Sequence, residues 1–177
     1  MTNDPNWRLP VVPSFSLSSP DFVDGGPLPG WACGAYWGDE GRDRSPALEW
    51  SGAPAATRSF VLTVYDPDAP SGSGWWHWAV ANLPALTSSL TAGAGDHETD
   101  GLPEGAIAVP NESRQRRYAG AAPPLGTGEH RYVFTVSALA VDRIEVDLHG
   151  TPALLGVMIR EHVLARAQLV GLAAAIA

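Results

Sequence analysis

Residues Arg58–Asp66 alternate apolar side chains and end on Asp66-Pro67-Asp68-Ala69-Pro70. Two prolines within five residues fix two φ angles and remove two backbone donors, so a strand must stop there and turn rigidly. Phe60, Leu62, Val64 and Asp66 share one face of that strand, while Val61, Thr63 and Tyr65 share the other. Apolar residues on both faces imply the interior of a sandwich, and the position of Asp66 at the strand's end puts a carboxylate where it is partly buried. A buried carboxylate needs a partner, and a histidine is the natural one.

Two further stretches read as strands. Trp75–Leu83 places His77, Ala79 and Ala81 on one face and Trp76, Trp78 and Val80 on the other by simple alternation. In His130–Leu139 the same period puts His130 and Tyr132, at i and i+2, on one face, so both can converge on one ligand. Residues 1–57 read as short strands joined by long loops rich in Pro, Gly, Ser and Trp. Thr87–Gly105 has no sustained period and reads as a surface excursion. Thr151-Pro152 is a helix start, with a capping hydroxyl followed by proline at the first helical position. A C-terminal helix is expected over Ala153–Leu172, burying Leu155, Ile159, Val163 and Val170 opposite Arg160, Glu161 and Gln168. With 177 residues, a single domain over 1–177 is expected.

Composition removes several function classes. The chain contains no lysine, which excludes Schiff-base chemistry, a P-loop lysine and a lysine general base. A net charge of -8 argues against a nucleic-acid footprint and a polybasic membrane surface. The apolar stretches are too short for a membrane span. The single Cys33 cannot form an internal disulfide, and no signal segment opens the chain, so a cytoplasmic location is expected. The tryptophan-rich N-terminal third can serve a homodimer contact or simply fill the core.

Asp66, His77, His130 and Tyr132 together offer two imidazoles, a phenol and an orienting carboxylate, which suits a small oxyanion such as a phosphate monoester or a carboxylate. Gly126-Thr127-Gly128, after Pro123-Pro124, reads as an ordinary turn and fits no phosphate-cradling loop. A two-histidine, one-carboxylate metal site lacks supporting spacing, so no metal and no cofactor are expected. Ser71 and Ser73 lack a nucleophile-elbow setting, and Cys33 has no base beside it. Arg114, Arg116 and Arg117 read as a solvated turn. His97, His149 and His162 are assigned to loops and the helix without function.

In order, Asp66-Pro67-Asp68-Ala69-Pro70, His77 with Asn82, Tyr118-x-Gly120-x-x-Pro123-Pro124 and Gly128-x-His130-Arg131-Tyr132 resemble the phosphatidylethanolamine-binding proteins, which include the Raf kinase inhibitor proteins. Ser45–Trp50 and His162–Ala165 resemble the bacterial branch of that family. The resemblance implies a mostly β fold, a Greek-key β-sandwich of two antiparallel sheets with a C-terminal helix. It implies a ligand pocket of Asp66, Ala69, Pro70, His77, Ala122, Pro124, His130 and Tyr132, and a cis Ala69–Pro70 bond. Ala122 stands where many relatives have glycine, and no aromatic residue follows Phe134, so lipid preference and Raf-type inhibition do not transfer. The expected function is non-enzymatic binding of a small anion: a phosphate, a phospholipid head group or a phosphorylated side chain. The alternative is a regulatory inhibitor of a kinase or protease acting through its protein-binding surface.

Overall fold

The computed structural model describes residues 9–35, 38–97 and 100–175. Its strands are β1 (Ser16–Ser18), β2 (Gly26–Pro27), β3 (Leu48–Ser51), β4 (Ser59–Asp66), β5 (Trp75–Pro84), β6 (Ser89–Leu90), β7 (Ile107–Ala108), β8 (Glu129–Leu139) and β9 (Val163–Ala174), with one helix, α1 (Pro152–Ile159). They form a three-stranded sheet, β1-β3-β6, and a six-stranded sheet, β2-β9-β8-β4-β5-β7. The β4–β5 hairpin lies beside the much later β8, a crossing connection of the Greek-key kind. Pairing between these strands is antiparallel except at one edge, where the two residues of β2 run parallel to β9.

The large sheet is covered on both faces, as the two apolar faces of β4 require. Leu62 and Val64 of β4, Trp78 and Val80 of β5 and Phe134 and Val136 of β8 pack with Leu17, Leu48, Trp50 and Leu90 of the small sheet. On the other face Val61, Ala79, Ala81 and Leu139 meet Ile144 and, from α1, Leu155 and Ile159. The sandwich therefore carries its helix as a third, partial layer. The excursion after Thr87 is less superficial than its composition suggests: it contributes β6, and Gly95 lies so close to the Trp78 ring that a Cβ there would fall 2.5 Å from it.

Two irregularities in β5 aim its side chains. Val64 pairs with Trp78 and Tyr65 with Trp76, so His77 is an extra residue on β5. Such a bulge breaks the alternation. His77 meets Tyr132, its ring 5.0 Å away, on the face where Trp78 also packs, while Trp76 turns to Tyr65 on the far side. The expectation that His77 and Trp78 oppose each other is corrected by this single inserted residue. Further along, Asn82 has φ 58 and exchanges two hydrogen bonds with the backbone of Ile144, at 3.0 and 2.8 Å.

The C-terminal reading is half right. Thr151 caps α1, its hydroxyl accepting from the Leu154 amide at 3.1 Å, and Pro152 opens it. The helix stops at Ile159, however, and Val163–Ala174 is a strand along the whole of β8. Ala165, Ala167, Leu169, Gly171 and Ala173 face inward at alternate positions. The outward positions are largely apolar too, and alanine favours helix intrinsically, so no period-2 signal survives in the sequence; pairing with β8 overrides propensity. Gly171 distinguishes the two conformations. In an exposed helix, Gly171→Ala would stabilise by about 1 kcal/mol. In this strand a Cβ would lie 2.4 Å from Leu28. The substitution is therefore expected to destabilise by about 1–3 kcal/mol, measured by urea denaturation.

Candidate functional site

The ends of β4 and β8, the β5 bulge and two loops enclose a cavity of about 300 Å³. All eight residues named from the sequence line it: Asp66, Ala69, Pro70, His77, Ala122, Pro124, His130 and Tyr132. Asp66 is 2% exposed. Its Oδ1 accepts from the amides of Asp68 at 2.8 Å and Ala69 at 2.9 Å, and its Oδ2 accepts from His130 Nδ1 at 2.8 Å. The carboxylate is thus fully occupied and holds the turn that the prolines force. No peptide bond among the described residues is cis, so the Ala69–Pro70 bond is trans. The turn is closed by Asp66 Oδ1 and by the Ser71 amide donating to Ala69 O at 2.8 Å.

His130, 1% exposed, has both nitrogens engaged: Nδ1 with Asp66 and Nε2 with Thr127 Oγ1 at 2.8 Å. It braces the wall and has no nitrogen left for a ligand in this arrangement. His77 and Tyr132 differ. His77 Nδ1 donates to Ala119 O at 2.8 Å, which fixes the tautomer and leaves Nε2 with the lone pair in the neutral ring. Burial lowers the His77 pKa; the Ala119 and Gly120 carbonyls and the charges on Asp66 and Asp43 oppose that shift without reversing it. The Tyr132 hydroxyl is buried and has no hydrogen-bond acceptor among the described residues. Burial above all, then the charge on Asp66, raises its pKa, although the Ala122 amide favours the phenolate, so Tyr132 stays protonated and remains a donor.

The sequence reading did not identify Asp43, Trp75, Ser113, Ala119 and Gly120 as cavity-lining residues, or Ser71 as part of the wall. Asp43 Oδ1 accepts from the Gly120 amide at 2.8 Å and Oδ2 from the Ala35 amide at 3.1 Å, tying two loops into one wall. Gly120 is obligatory, since a Cβ would lie 2.4 Å from the Cys33 backbone. The Tyr118-x-Gly120 spacing was the available signal; nothing in the loop around Asp43 marks it. Arg114 donates to His149 O at 3.0 Å and Arg117 to Tyr118 O at 3.2 Å, and neither lines the cavity. Among the described residues no group of acidic, His and Cys side chains could hold a metal ion.

The pattern that defines the phosphatidylethanolamine-binding proteins matches residues 18–174. The chain belongs to the phosphatidylethanolamine-binding protein family. It is 44% identical over 155 residues to the UPF0098 protein YbhB of Escherichia coli, covering 88% of this chain and 97% of that one. It is 41% identical over 156 residues to YbcL of the same organism, covering 88% of this chain and 85% of YbcL. The YbcL crystal structure, described as a member of the mammalian PEBP family, superposes with a TM-score of 0.85 at 40% identity, covering 90% of this chain and 97% of YbcL. A Chlamydia trachomatis homologue, CT736, superposes at 0.77 and 29% identity, covering 92% and 99%. The matched residues, 18–174, include every described residue that lines the cavity of this family member.

Beside the cavity, Arg131 Nε and Nη2 grip Asp68 at 2.7 Å each, and this pairing holds the Asp68 carboxyl below its usual range against the opposing effect of burial. A depressed folded-state pKa contributes stability that is present above the unfolded value, near pH ~3.9, and lost as pH falls through the lower folded value. Asp68→Asn is expected to cost about 1 kcal/mol at neutral pH and to flatten the acid limb, measured by thermal denaturation as a function of pH.

Proposed function

We propose that this family member is a non-enzymatic binding module for a small anion carrying one exchangeable proton, with a phosphate monoester as the reference ligand and the cytoplasm as its setting. The observation that carries this reading is Tyr132, a buried phenol that stays protonated and has no acceptor among the described residues, in a cavity large enough for a ligand. A buried hydroxyl without an acceptor costs about 1–3 kcal/mol, so the site favours an incoming oxygen acceptor. Neutral His77, with Nδ1–H committed to Ala119, presents the complementary lone pair at Nε2. A phosphate monoanion supplies an acceptor for Tyr132 and a P–OH for His77; a dianion requires His77 to take up the proton instead. Either route ends with one proton shared between Nε2 and the ligand.

The same inventory supports holding over transforming. Cys33 is buried, with burial pushing its thiol up to about 12. The Ser71 hydroxyl is committed to Gly74 O. Both carboxylates of the cavity are engaged by backbone amides, and Asp66 also by His130. Among the described residues no activated nucleophile with a free base stands at the site.

Two outcomes are expected from calorimetric titration with phosphorylethanolamine. Tyr132→Phe removes an unsatisfied hydroxyl, so stability is unchanged or slightly raised while affinity falls about tenfold or more. Affinity of the unaltered protein falls about tenfold per pH unit once pH exceeds both the ligand's second pKa of about 6 and that of His77. Equal affinity in Tyr132→Phe, or no heat and no chemical-shift change around His77, contradicts the reading.

A further inference from the structure

Thr127 makes two hydrogen bonds with one hydroxyl proton. Its Oγ1 lies 2.7 Å from Pro124 O and 2.8 Å from His130 Nε2. A carbonyl oxygen only accepts, so the hydroxyl proton belongs to the Pro124 bond and Nε2 must donate. At the ring's other end the Asp66 carboxylate also only accepts, so Nδ1 donates as well. Both bonds of Thr127 therefore coexist only while His130 carries two ring protons. When one is lost, Nδ1–H remains with the carboxylate and Nε2 presents a lone pair to Oγ1. The hydroxyl then has to turn to Nε2 and release Pro124.

What Pro124 loses decides the consequence. The turn from Pro124 to Thr127 has a second tie, the Thr127 amide to Pro124 O, at 3.3 Å. Gly126 and Gly128, with φ of 83 and 85, have open space where a Cβ would sit, and Leu125 is 74% exposed, so no packing holds the turn in place of the hydroxyl. Pro124 itself lines the cavity.

We propose that Thr127 is a proton-operated latch, its hydroxyl transmitting the charge state of His130 to the Pro124–Gly128 turn, whose first residue, Pro124, lines the cavity. Its consequence for affinity rests on the anion reading above, while the latch itself does not. The groups facing His130 are Asp66 at the end of β4, Asp68 in the following turn with Arg131 paired to it, and Tyr132 on its own strand with His77 beyond. Opposite on β9 stands Ala173, which is neutral. With Asp68 paired to Arg131, Asp66 is the negative charge in direct contact with the ring. An anion in the cavity adds to it, so ligand and proton reinforce one another in keeping the turn closed.

The test uses ligand-free protein and NMR. The His130 ring and the amides of Leu125, Gly126, Thr127 and Gly128 are followed from about pH 4 to 9, the range in which a histidine titrates. The latch predicts that the four amides shift with the same midpoint as the ring. In Thr127→Val, of the same shape without the hydroxyl, the ring still titrates while the amide response falls by more than half; Thr127→Ser restores it. Unchanged strand amides in both variants verify the fold. Flat loop amides in the unaltered protein, a ring that does not titrate in this range, or a Thr127→Val response equal to the unaltered one overturns the proposal. Titration with inorganic phosphate is the second arm. Failure of phosphate to bind counts against the anion reading alone, because the latch is read without ligand.

Discussion

The 2.8 Å contact between Asp66 and His130 joins the ends of two neighbouring strands of the large sheet in a place almost closed to water. Removing one partner of such a pair strands the other, at a cost of about 3–5 kcal/mol, so the pair constrains everything attached to it. Asp66 carries the proline turn on two amides; His130 carries the loop of Thr127 and Pro124. The cavity is the space these two turns leave between them. Its floor is supplied by Tyr132, which the strand period of β8 places on the same face as His130.

That arrangement divides the polar residues into two kinds. Asp66, His130 and Asp43 are saturated by protein groups and shape the walls. Tyr132 and His77 each keep one hydrogen-bonding function unused at the cavity. Among the described residues no arginine lines the cavity, and the chain has no lysine, so charge alone does not draw an anion in. Selectivity then rests on direction and proton count: one donor, one acceptor, and a ligand that matches both. This differs from the sequence picture, in which two histidines pointed at the ligand together.

Much of this was legible because it follows from backbone geometry. The period of 2 put His130 and Tyr132 side by side, two prolines ended β4, and a threonine followed by proline opened α1. The features that escaped have equally physical reasons. One inserted residue in β5 reversed the relation of His77 to Trp78, and a bulge leaves no trace in hydropathy. The inward face of β9 is alanine, leucine and glycine, and at Gly171 Leu28 and Phe22 leave no room even for a Cβ. Those small residues erase the alternation that would have announced it. Asp43 reaches the cavity wall through a loop contact with Gly120 across 77 residues, beyond any local pattern.

The central claim is that Tyr132 and His77 form the ligand-facing pair while His130 stands behind them. A crystal structure from phosphate-containing buffer near pH 6 reads this directly. The account predicts a phosphate oxygen within hydrogen-bonding distance of Tyr132 Oη, a second within reach of His77 Nε2, and the His130–Thr127 contact intact. An empty cavity at saturating phosphate, or an ion bound to His130 Nε2 with Tyr132 and His77 untouched, would contradict it.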